Sequence, residues 1–120
     1  MDKCHPNGNI TYTAAAAIAK GQLVKLTNGK VTPTTAATDL AIGVALDGAA
    51  KDDIVPVAIL GNYTGTVEVK AGGAIAAGAQ VAANATASAA ATDVIVGIAL
   101  EAAAASGDMI EIAHAVAHVK

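Results

Sequence analysis

Short runs of β-branched residues that alternate with polar ones dominate the pattern along the chain. Thr64–Lys70 and Met109–Val119 alternate with a period of two, which is typical of strands with one buried face. Asn28-Gly29 lies between two further runs, Leu23–Leu26 and Lys30–Pro33, and predicts a two-residue hairpin turn. Three apolar runs predict additional strands at Ala41–Leu46, Ile54–Ile59 and Val94–Leu100. Taken together, the pattern predicts about nine short strands.

Alanine makes up about a quarter of the chain, and because it is the best helix-forming residue it would by itself favour helices. Twelve glycines and many threonines are spread along the sequence, however, and they interrupt even the longest alanine-rich stretch, residues 71–91. A helix remains open at Thr13–Ala19, which is too short to be stable alone, and as a single turn at Glu101–Ala105. We therefore expect a mostly β protein with little helix.

The chain contains an internal duplication. Residues 38–47 (TDLAIGVALD) match residues 92–101 (TDVIVGIALE) at an offset of 54, and the flanking segments match at offsets of 55 and 57. Two units, about residues 16–60 and 71–116, therefore cover most of the molecule. Gly43 and Gly97 occupy the same place in the two units, and a glycine inside a strand indicates a bend or the close approach of another backbone. The repeated Thr-Asp pair, with Asp39 and Asp93, predicts a turn or a local cap.

Neither unit is expected to close a hydrophobic core alone. We predict that the pair forms a small pseudo-twofold β-sandwich or barrel of β-tulip-like type. Residues 14–120 then form a single β domain, which agrees with a chain length of 120 residues. Residues 1–13 are predicted to form a flexible N-terminal arm.

The composition excludes several classes of partner. All seven basic residues are lysines, ten residues are acidic, and the net charge is −3. A nucleic-acid partner is not expected, because nucleic acids are usually bound by a basic face that includes arginine. Two tyrosines, without tryptophan or phenylalanine, do not suffice for an aromatic-lined ligand pocket. No membrane association is expected either, because no stretch is long and apolar enough for a spanning helix.

The sequence provides no catalytic, cofactor-binding or metal site. The two serines, Ser88 and Ser106, have no histidine beside them, and Asp52-Asp53 is predicted in a solvated turn. His114 and His118 would share one face of a helix and suit a metal ion, but in the predicted last strand they lie about 13 Å apart. We therefore expect both histidines to be exposed or to lie at an interface.

Several segments resemble the small capsid cement, or head decoration, proteins of tailed bacteriophages. The resemblance rests on residues 18–26 (IAKGQLVKL), 41–46 (AIGVAL), 54–57 (IVPV) and 96–112, in this order. It implies a non-enzymatic protein without a cofactor, made in the host cytoplasm and carried on the outer surface of the virion. It also implies a homotrimer that bridges neighbouring subunits of the major capsid protein.

Proteins of this family often contact the shell through an N-terminal arm. The polar start of this chain matches such an arm, and the candidate capsid-contact residues are Asp2, Lys3, His5, Asn7 and Asn9.

Two alternatives stay open. Lys70, which ends the run VEVK, resembles the modified lysine of biotinyl and lipoyl carrier domains. The other alternative is a different virion surface protein, such as a head-fibre component.

Overall fold

The computed structural model describes residues 8–120, and within this range the chain forms nine β-strands and no helix. The strands are β1 (Asn9–Thr13), β2 (Leu23–Thr27), β3 (Lys30–Pro33), β4 (Ala41–Ala45), β5 (Ile54–Ile59), β6 (Val67–Lys70), β7 (Gln80–Ala82), β8 (Val94–Ala99) and β9 (Met109–Val119). The prediction of a mostly β protein is confirmed, and the helices left open at 13–19 and 101–105 are not formed. A helix that could cross a membrane is likewise not found in residues 8–120.

The strands form two antiparallel sheets, one for each unit of the duplication. The first sheet has the order β1-β5-β4-β2-β3 and the second has the order β6-β9-β8-β7, so the second repeats the first without β3. Backbone hydrogen bonds repeat as well: Ile18 and Ala49 each donate to the other, and so do Ile75 and Ala103. The predicted duplication is confirmed, and the sheets pack as a sandwich without a closed barrel.

Gly43 in β4 and Gly97 in β8 mark matching places where two backbones come close. A β-carbon on Gly43 would overlap the carbonyl oxygen of Ala58, and one on Gly97 would overlap that of Ala113. The ladders from β4 to β2 and from β8 to β7 both shift register near these glycines, as expected for β-bulges. The structural role predicted for the two glycines is therefore confirmed.

Each unit carries an aspartate that closes the turn before its central strand. The Oδ2 atom of Asp39 accepts backbone N–H bonds from Thr35 and Ala36 at 2.8 and 3.0 Å. Asp93 accepts the two N–H groups at the matching positions of the second unit, at 2.9 and 3.0 Å. These bonds favour the ionised form and hold the pKa of both carboxyls below its ordinary value. The cap predicted from the repeated Thr-Asp pair is thus formed in both units.

Residues 9–13, which the sequence assigned to the flexible arm, form strand β1. This strand pairs along its whole length with β5, with Asn9 opposite Ala58 and Thr13 opposite Ile54. Because β5 lies far away in the sequence, no local turn signal identifies β1 as its partner. Residues 1–7 lie outside the described residues.

The first sheet has buried residues on both of its faces. Its front face lines the smaller of two apolar clusters, through residues that include Val24, Val55 and Val57. Its back face carries a row of directly paired residues that crosses β2, β4 and β5, namely Leu23, Val44 and Ala58. This back row is at most 2% exposed and belongs to the larger cluster.

The second sheet buries its front face and, on its back face, the paired residues Ala82 and Ile95, which are at most 2% exposed. The residues that match the first sheet's front face are Val81, Ile110 and Ile112, and all of them lie in the larger cluster. The row that matches the back face is Gln80, Ile98 and Ala113, and it is exposed. The two units are therefore stacked front to back, with the back of the first sheet covering the front of the second. If a twofold axis related the two sheets, matching faces of both sheets would be buried against each other. Here opposite faces meet, so the two units share their strand order and local geometry but differ in which face is buried.

Candidate functional site

An apolar depression lies on the front of the first sheet, where β1, β2, β4 and β5 meet. Its volume is about 330 Å³. Asn62 lines one part of it, and the other side chains are those of Ile10, Tyr12, Leu26, Ile42 and Ile59. We call the site formed by these five residues the open groove. Leu26 is 48% exposed there. A second depression of about 290 Å³ shares Ile42 and Ile59 and continues the apolar surface towards β9.

The open groove exists because nothing in the described chain covers this end of the first unit. Four of its five positions have apolar counterparts in the second unit, namely Val67, Val69, Ala83 and Val96, and these are at most 5% exposed. They belong to the cluster that also contains the back row of the first sheet. The same positions are therefore covered in one unit and open in the other.

The fifth groove position differs in chemistry between the units, because β5 has Ile59 where β9 has His114; each stands opposite the glycine of the neighbouring strand. The Nδ1 atom of His114 accepts the N–H of Gly61 at 2.9 Å, and its Nε2–H donates to the carbonyl of Gly65 at 2.8 Å. His114 thus fastens the loop that connects the two units to the last strand.

His118 makes a local contact only, with its Nδ1 atom 2.9 Å from the carbonyl oxygen of Val116 on the same strand. Both histidines lie in β9, as predicted from the alternating pattern. Residues 8–120 contain no group of three or more histidine, cysteine or acidic side chains that could hold a metal ion.

A further depression, of about 490 Å³, lies between the two units and has several charged side chains in its lining. Its lining includes Lys20, Glu68, Glu101 and Glu111. The carboxylate of Glu111 accepts the hydroxyl of Thr66, and that of Glu101 accepts the backbone N–H of Glu111 at 2.8 Å. The carboxylates of Glu101 and Glu111 therefore hold neighbouring strands and loops together.

The predicted capsid-contact residues fall mostly outside the described range. Asp2, Lys3, His5 and Asn7 lie there, whereas Asn9 is the exposed first residue of β1. The chain enters the sheet at a fixed point, because the carbonyl of Gly8 accepts the N–H of Ile59 at 2.8 Å. A β-carbon on Gly8 would lie 2.5 Å from backbone atoms of the following loop, at residues 62 and 63, so only glycine fits this entry point. Gly8 also lines the open groove.

Lys70, the residue of the carrier hypothesis, is the exposed last residue of β6. Its backbone N–H donates to the carbonyl of Gly21 at 2.8 Å, which ties it to the first unit. A carrier lysine needs the exposed tip of a hairpin, whereas Lys70 ends a strand that leads into an irregular segment before β7.

The fold and these surfaces define a small all-β structural domain built from two stacked units. The chain belongs to the phage cement protein family, whose model matches residues 4–114. The family resemblance seen in the sequence is therefore confirmed, and with it an association with the phage capsid.

A solved structure supports the same fold. The chain is similar to the head fibre gp8.5 N base of bacteriophage phi29, with a TM-score of 0.65 and 16% sequence identity, over 93% of this chain and 97% of that chain. At this identity the similarity concerns the fold alone. The comparison with curated proteins gave no match.

Proposed function

We propose that this protein is a non-enzymatic capsid decoration protein that binds the outer surface of a phage head. In this role it stabilises the head by bridging neighbouring subunits of the major capsid protein. The match to the cement family over residues 4–114 is the observation that carries the proposal. The proposal includes a homotrimer without a cofactor, made in the host cytoplasm and then carried on the virion.

The N-terminal segment is the proposed contact with the shell. Its candidate residues are Asp2, Lys3, His5, Asn7 and Asn9. The fixed entry of the chain at Gly8 supports this choice, because the segment then starts from one defined point on a sheet. Acidic, basic and amide side chains suit polar contacts along a shell surface, where each contact contributes little and the sum gives specificity.

The experiment is binding to purified, expanded heads of the cognate phage that lack the decoration protein. We expect saturable binding by the full chain and a higher temperature of head disruption once it is bound. A variant that lacks residues 2–7 should bind at least about tenfold more weakly. Lys51→Ala, at an exposed turn far from the N-terminus in sequence, is the matched control and should bind like the unchanged protein. Folded protein that does not bind such heads would overturn the proposal.

A head-fibre base is the second candidate, and the fold shared with the phi29 head-fibre base favours it. The two candidates differ in what lies outside the domain on the virion. In a cryo-electron microscopy map, the 11.6 kDa chains of a cement protein account for all of the density outside the shell at its position. A fibre base would carry additional density that projects outward.

A further inference from the structure

The internal contact between the two units has two different sides. One side is the back row of the first sheet, Leu23, Val44 and Ala58, and the other is the front of the second unit. Polar bonds accompany the apolar ones, since the Thr34 hydroxyl donates to the carbonyl of Ala83 at 2.6 Å and the N–H of Val94 donates to that of Ala37 at 2.8 Å. Such a contact is heterologous, because each side uses a different surface of the same fold.

Each side of this contact has an unused counterpart elsewhere on the molecule. The open groove of the first unit matches the covered front of the second unit at four of its five positions. The exposed row on the second sheet, Gln80, Ile98 and Ala113, matches the buried back row of the first. We call this exposed row the free back row. Ile98 at its centre is 47% exposed, whereas its counterpart Val44 is fully buried.

We propose that the open groove of one chain receives the free back row of a second copy, so that the contact between chains repeats the contact between units. The occupant is a second copy because the structure already packs the matching pair of surfaces together once, inside each chain. The central open positions also carry larger side chains than their covered counterparts: Leu26 stands where the second unit has Ala83, and Ile98 where the first has Val44. Larger apolar groups at an exposed site indicate area that is removed from water on association.

A head-to-tail contact leaves one groove and one back row unused in any open chain of copies. Such contacts close into rings when the rotation between copies permits and otherwise continue as filaments. This contact rests on the homotrimer included in the proposed function and names the two surfaces that would join its copies. Because the contact forms in solution and does not need the shell, it is tested separately from binding to the capsid.

The first test is the mass of the free protein by analytical ultracentrifugation over a range of concentrations. We expect multiples of the 11.6 kDa chain that increase with concentration. A monomer at about 1 mM, where even a weak contact is largely occupied, overturns the proposal.

The second test uses one charge on each surface. Leu26→Glu and Ile98→Glu each bury a carboxylate in the proposed contact and should weaken assembly about 100-fold or more. Both side chains are about half exposed in the single chain, so circular dichroism and the melting temperature should stay unchanged. Val119→Glu is the matched control, because Val119 is 66% exposed and belongs to neither surface.

Mixing the two variants tests the head-to-tail geometry itself. The Leu26→Glu chain keeps an intact free back row, and the Ile98→Glu chain keeps an intact open groove. We expect each variant alone to be monomeric and the mixture to give a complex of two chains and no larger species. Absence of this complex, or loss of assembly in only one of the two variants, overturns the proposal. If Leu26→Glu abolishes binding to heads but leaves the mass of the free protein unchanged, the groove binds the shell instead, and the proposal is likewise overturned.

Discussion

Replacing Gly97 with alanine tests whether the close approach of β8 and β9 explains the glycine. The added methyl group would overlap the carbonyl oxygen of Ala113 and lie 3.0 Å from the Cα atom of His114. Both atoms belong to the backbone of β9, which is held in its ladder by β6 on one side and β8 on the other. They cannot rotate away as the end of a side chain would. Ordinary contact therefore requires the strands to separate by roughly 1 Å.

Overpacking of a close contact typically costs about 1–3 kcal/mol. Because the obstacle here is backbone inside a ladder, we expect the upper part of this range, about 2–3 kcal/mol. Urea denaturation at one fixed protein concentration measures the free energy of unfolding. With a slope of about 2 kcal/mol per molar, the midpoint should decrease by about 1 M.

Gly73→Ala is the matched control, because Gly73 has no positive φ and its added methyl would lie 3.9 Å from Thr86 Cγ2, an ordinary contact. This variant should differ from the unchanged protein by less than about 0.5 kcal/mol, or gain slightly from the lower entropy of its unfolded chain. Gly43→Ala should behave like Gly97→Ala, since a methyl there would overlap the carbonyl oxygen of Ala58. A Gly97→Ala protein within about 0.5 kcal/mol of the parent would refute the reasoning.

Two further predictions concern the caps and the connecting loop. Asp39 and Asp93 have lowered pKa values in the folded state, so the stability they contribute is present above the ordinary aspartate pKa of about 3.9 and is lost as the pH falls through the folded values. The melting temperature of the double variant Asp39→Asn, Asp93→Asn should therefore decrease less on acidification than that of the parent. An equal decrease would contradict the conclusion that the two caps contribute to the acid-sensitive part of the stability. His114→Ala removes two bonds to the connecting loop, so we expect a loss of about 1–2 kcal/mol and faster hydrogen exchange of the Gly61 amide. His118→Ala is the control and should change neither.

The sequence predicts the strands that carry a local signal. Asn28-Gly29 has positive φ at both residues, as a type I′ hairpin turn requires, and it joins β2 and β3 in the predicted register. β7 was missed because its three residues, Gln80–Ala82, contain a single β-branched side chain. β1 was missed because only its distant partner β5 fixes it in a sheet. The duplicated segments of the sequence, by contrast, correctly predict which strands match, β4 with β8 and β5 with β9.

The open groove was not predicted, for a physical reason. Tyr12 and Val69 are both apolar residues in matching strands, and the sequence does not show which of them another sheet covers. Coverage depends on the front-to-back stacking of the units, which is a tertiary property. A signal was nonetheless present: at the 57-residue offset, small or compact residues of the second unit align with larger ones of the first, as Ala83 does with Leu26.

The short loop that joins the two units, fastened by His114, also determines how the contact between the units responds to dilution of the protein. Two separate units would associate less and less as their concentration falls. Two tethered units, by contrast, have an effective concentration of about millimolar with respect to each other, whatever the concentration of the protein. The contact between the first sheet's back row and the second unit is therefore formed however little protein a cell contains. Because the two units lie in one chain, the contact between them does not depend on the concentration of the protein. Only contacts with other molecules still depend on how many copies are present.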